Sequence, residues 1–81
     1  MAEGARAVRV RVSALMLYEY EMRGLYPEID SVGLIEVPRS VAVRMLSDAE
    51  FYTDRDGPDE TPANVRKAYE RMREQLRRVL A

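Results

Sequence analysis

From Val8 to Met22 every even-numbered position is apolar or aromatic: Val8, Val10, Val12, Ala14, Met16, Tyr18, Tyr20 and Met22. The odd positions from Arg9 to Arg23 are polar at six of eight, broken only by Leu15 and Leu17. A period of two with Val and Tyr prominent predicts one long β-strand over residues 8–23, covered on both sides around Leu15 and Leu17. From Ser13 onward a helix is the rival reading. Ser13 can cap it, Leu15, Tyr18, Met22 and Leu25 share a helical face, and Gly24 with Pro27 forms a stop signal. The alternation runs unbroken from Val8, which favours the strand.

Residues 24–31 contain Gly, Pro and two acids and predict a loop. Residues 32–37 predict a short second strand, ended by Pro38, which has no N–H for a ladder. From Ser40 to Thr53 the pattern turns helical, with Val41, Met45, Ala49 and Tyr52 on one stripe and Ala42, Leu46 and Phe51 beside it. An acidic turn, residues 54–60, leads to a last amphipathic helix that Thr61 can cap and Pro62 can open. Its seam is Val65, Tyr69, Met72, Leu76 and Val79, at spacings of four, three, four and three. The expected fold is α+β in the order ββαα, a long N-terminal strand and a short second strand packed by two C-terminal helices. All 81 residues form one domain.

A hairpin with Arg23 facing Val32 would pair Tyr18 with Val37 and leave residues 8–17 without a partner. An unpaired strand of that length invites a second copy. A homodimer is therefore expected, with Val8, Val10 and Val12 in the strand that pairs across a two-fold axis.

Composition narrows the chemistry. The chain has no Cys and no His, so disulfides and the usual zinc and haem ligands are absent from the sequence. Its serines lack a His to activate them, and neither a P-loop nor a dinucleotide fingerprint occurs. No enzyme activity and no cofactor are expected. No segment approaches the roughly 20 apolar residues of a membrane span, and the amino end lacks the apolar run of a signal peptide. A soluble cytoplasmic protein without membrane contact is the expectation.

The formal net charge of −1 conceals a segregation. Residues 1–18 carry three Arg against one Glu, residues 19–60 four Arg against eleven acids, and residues 61–81 six basic residues against two acids. Two oppositely charged surfaces suit either self-neutralisation or two kinds of partner. Asp54, Asp56, Asp59 and Glu60 are the candidate acidic contact. They do not fit an EF-hand, because from Asp54 the required Gly and the bidentate Glu fall out of register. Arg71, Arg73, Arg77 and Arg78 are the candidate contact to nucleic acid or an acidic partner, since a guanidinium bonds phosphate bidentately. Arg9 and Arg11 on one strand face offer a second basic site. A strand followed by two helices is similar to ribbon-helix-helix repressors, which read the major groove with paired strands.

The segment Tyr52-Thr53-Asp54-Arg55-Asp56-Gly57-Pro58-Asp59-Glu60-Thr61-Pro62, running on to Val65 and Tyr69, resembles short accessory proteins encoded by phages and mobile elements, anti-CRISPR proteins among them. The resemblance implies an inhibitor or adaptor that docks on a host protein or nucleoprotein inside the host cell. A small dimeric nucleic-acid-binding regulator, using the basic last helix or the Arg9/Arg11 strand, is the alternative.

Overall fold

The computed structural model describes residues 6–81. Five elements follow in order: β1 (Ala7–Val12), α1 (Ala14–Arg23), β2 (Gly33–Pro38), α2 (Arg39–Thr53) and α3 (Ala63–Leu80). The class is α+β, as expected, with one two-stranded antiparallel sheet and the two long helices after it.

The long N-terminal strand is shorter than the alternation predicts. It ends at Val12, and residues 14–23 form a helix. Local chemistry decides this. Between Val12 and Ile29 the chain has no β-branched residue, while Ala, Leu, Met and Glu are frequent. Ser13 takes the N-cap, its Oγ accepting from the Met16 N–H at 3.2 Å. Gly24 closes the helix at φ 65°, a conformation that suits glycine, and its N–H donates to the Tyr20 carbonyl. The buried face is Met16 and Tyr20, spaced by four. Tyr18 and Met22, which the alternation groups with them, are 60% and 69% exposed.

Shortening β1 changes the pairing. The register runs Ala7↔Pro38, Val8↔Val37, Val10↔Ile35 and Val12↔Gly33, so Tyr18 does not face Val37. Val8, Val10 and Val12, expected to pair across a dimer axis, pair with β2 of the same chain. The unpaired run that motivated the homodimer is absent from the described residues.

On the outer edge of β1 the backbone of one residue, Arg11, is held as well. Gln75 of α3 accepts from the Arg11 N–H at 2.5 Å, and its Nε2 donates to the Arg11 carbonyl at 3.1 Å. One side-chain amide thus stands in for a neighbouring strand, a local answer to the edge problem. Gln75→Ala is expected to cost about 1 kcal/mol, since water can replace these exposed bonds, and to speed amide exchange at Arg11. Unchanged exchange at Arg11 would show that the clamp does not form.

The helix α3 touches α2, α1 and β1 and is the centre of the packing. Its buried residues are Val65, Ala68, Tyr69, Met72 and Leu76, close to the predicted seam. Val79, also predicted there, is 42% exposed near the helix end. In α2, Val41, Ala42, Met45 and Ala49 are buried, whereas Phe51 is 56% exposed. Pro62, not Thr61, takes the N-cap position of α3, without a side-chain capping bond.

Candidate functional site

The acidic turn is a held structure. The Asp54 Oδ1 accepts from the Asp56 N–H at 3.1 Å, and the Gly57 N–H donates to the Asp54 carbonyl at 3.0 Å. The Arg66 guanidinium reaches across from α3 and donates to the Thr53 and Asp54 carbonyls at 3.3 and 2.9 Å. Those carbonyls lie at the end of α2, where a cation is favoured. Asp54, Asp56, Asp59 and Glu60 all remain exposed, and among the described residues none of them has an ion-pair partner. No group of three potential metal ligands occurs among the described residues.

The four candidate arginines of α3 divide into two pairs. Arg73 donates to the Thr53 Oγ1 at 2.8 Å and lies 3.5 Å from Glu74. Arg77 pairs with Glu50 of α2 at 3.0 Å and with Glu74 at 3.9 Å. These two fasten α3 to α2 and to its own surface. Arg71 and Arg78 are exposed and have no ion pair among the described residues.

Arg71 and Arg78 flank a groove of about 320 Å³ between α3, the end of β1 and the start of α1. Its floor includes the apolar Met16, Ala68 and Met72, and Arg11, Ser13 and Gln75 complete its lining. The clamp described above sets the register. Gln75 lies one turn from Arg71 and one turn from Arg78, and it fixes the Arg11 backbone beside that midpoint. A shallower recess on the far side of Arg71 and Arg78 includes Lys67, Glu70 and Glu74.

The Arg9/Arg11 pair expected on one strand face is split in the same way. Arg9 lies opposite Glu36 and pairs with it at 3.6 Å, with both side chains largely exposed. Arg11 belongs to the groove. Sequence reasoning missed this grouping because it placed Arg11 near the start of a strand running on to residue 23, with no helix beginning beside it. The signal available was the spacing of Arg71, Gln75 and Arg78 along one helical face.

A second polar cluster lies under α1 and α2. The Arg23 guanidinium stacks over the Tyr52 ring at 4.0 Å, pairs with Glu19 at 2.6 Å, and bonds the Tyr52 hydroxyl. Tyr52 in turn stacks on Tyr69, with centroids 4.9 Å apart. The hydroxyls of Tyr20 and Tyr69 and one oxygen of Asp48 are buried without a hydrogen-bond partner. Burial pushes both tyrosine hydroxyls up from their ordinary range. Burial also raises the Asp48 carboxyl, opposed by the Arg23 charge and reinforced by Glu19.

An acid raised in the folded state holds its proton more tightly there than in the unfolded chain. Its contribution is therefore greatest at low pH and is lost as pH rises through the folded-state value. Asp48→Asn is expected to raise the melting temperature at neutral pH and to gain nothing at pH 3. A variant less stable than the parent at neutral pH would contradict this. Tyr20→Phe removes a buried hydroxyl with no partner and is expected to be neutral or stabilising by up to about 1 kcal/mol.

No helix among the described residues is long and apolar enough to cross a membrane. Compared with known proteins, the chain matches no family model, no curated protein and no solved structure.

Proposed function

We propose that this protein is a small non-enzymatic binding module of the inhibitor or adaptor kind, docking on a host protein or nucleoprotein through its acidic turn. One observation carries the reading. Four exposed carboxylates, Asp54, Asp56, Asp59 and Glu60, stand on a turn braced by Arg66 and have no cation paired with them among the described residues. Uncompensated acids on a held turn suit a cationic surface, such as the phosphate-binding groove of a nucleoprotein. Charge of this kind acts mainly through the association rate. The resemblance of residues 52–69 to phage-encoded accessory proteins favours the same class. The reading needs only one chain, because the strand expected to join two copies is already paired within it.

The test is capture from the cell of origin, with the wild type and an Asp54→Asn/Asp56→Asn/Asp59→Asn/Glu60→Gln variant as parallel baits. The expected result is a partner held by the first and lost by the second. Equal retention of the same partner by both would exclude the turn as the docking surface.

The alternative, a nucleic-acid-binding regulator, draws on the free Arg71 and Arg78. It requires sub-micromolar binding of duplex DNA at physiological salt, falling steeply as salt rises. The proposed module is expected to bind free duplex weakly or not at all.

A further inference from the structure

We propose that the groove between β1, the start of α1 and α3 is a phosphate-binding site, held by Arg11, Arg71 and Arg78. The proposal goes beyond the docking role of the acidic turn and does not depend on it.

Three observations converge. First, the arginines come from two elements and line one concavity of about 320 Å³. Their placement around it is built into the fold: the two hydrogen bonds between Gln75 and the Arg11 backbone hold β1 against α3 midway between Arg71 and Arg78. Second, none of the three is neutralised within the described chain. Of the acids of α3, Glu74 pairs with Arg73 and Arg77, and Glu70 lines the recess on the far side of Arg71 and Arg78 together with Lys67, within ion-pair distance of none of them. The chain has acids enough to pair these cations and places them on Arg9, Arg23, Arg73 and Arg77 instead. Third, the donors suit the ligand. Guanidinium groups present planar forks that match phosphate oxygens, and three of them more than offset the charge of a dianion. The Ser13 end of α1 also lines the groove and adds the positive end of a helix dipole to a site the arginines already define.

The phosphate can come from a free or terminal phosphate on a small molecule, or from the backbone of a single-stranded nucleic acid. The chemistry is shared, and the sources separate experimentally. The isotope-labelled full chain is titrated with inorganic phosphate, with pyrophosphate, and with a short single-stranded DNA lacking terminal phosphates, while amide and arginine Nε resonances are followed. The expected result is saturable shifts centred on residues 13–16 and on the Nε signals of Arg11, Arg71 and Arg78. Saturation by phosphate and pyrophosphate alone assigns a free or terminal phosphate. Saturation by the oligonucleotide, weakening steeply with salt, assigns backbone phosphates.

Arg71→Gln/Arg78→Gln is expected to weaken binding about tenfold or more, whereas Arg73→Gln/Arg77→Gln, with the same change in net charge, should change it by less than about threefold. The amide spectrum reports at the same time that each variant is folded. Failure of all three probes to saturate by roughly 10 mM, or equal losses from the two double variants, would overturn the proposal. Either outcome leaves the acidic-turn reading standing, since none of these variants touches it.

Discussion

Leu76→Ala is expected to remove roughly 2–5 kcal/mol of folding stability, the range for truncating a fully buried leucine. Leu76 is completely buried on α3, the one element that packs against α2, α1 and β1 together. The void would open at the junction of these elements, where collapse on one side pulls away from another. A chain of 81 residues has a stability margin of only about 5–15 kcal/mol to lose it from. Thermal unfolding should move down by about 10 °C or more. Val79→Ala, one turn further on and half exposed, is the control and should stay within about 1 kcal/mol. A Leu76→Ala loss as small as that of Val79→Ala would mean that α3 does not pack as described.

Gly57→Ala is expected to cost about 1–3 kcal/mol, the usual penalty of forcing atoms into filled space. A Cβ at this position would lie 2.5 Å from the Phe51 carbonyl oxygen and 3.0 Å from that of Asp54. Both are backbone atoms, so no side chain can turn aside and the turn itself must shift. The shift would disturb the N–H of residue 57 on the Asp54 carbonyl and the carbonyls that Arg66 holds. Stability and partner binding should therefore fall together. Urea unfolding would measure the first, as a lower midpoint at an unchanged slope. A midpoint equal to that of the parent would show that the turn yields freely.

The two C-terminal helices were legible because their evidence is local and repeated. In α3, Val65, Tyr69, Met72 and Leu76 keep one helical spacing, and all four are buried. In α2, Val41, Met45 and Ala49 do the same. The segment 13–23 was misread because alternation and helical spacing coincide wherever apolar residues fall four apart. Met16 and Tyr20 satisfy both patterns, and only the exposed Tyr18 and Met22 distinguish them. The better signals were the loss of β-branched residues after Val12 and the Ser13 and Gly24 caps. The register then followed from the element boundary, which is why the misplaced strand end also produced the wrong pairing and the unpaired run from which a dimer was argued. At the candidate sites, charge segregation along the sequence found the acidic turn and the basic helix. It did not separate Arg73 and Arg77, whose partners Thr53 and Glu50 lie on another helix, from the free Arg71 and Arg78. Nor did it join Arg11 to them, because that contact spans 64 residues and rests on one glutamine.

The central claim is that the two charged surfaces act separately and that the acidic turn carries docking. The most direct measurement is quantitative capture from the cell of origin with three baits: the wild type, the four-fold acidic variant and Arg71→Gln/Arg78→Gln. The claim predicts that the principal partner is lost with the acidic variant and largely retained with the arginine variant. Retention by the acidic variant together with loss from the arginine variant would contradict it and place docking in the basic groove.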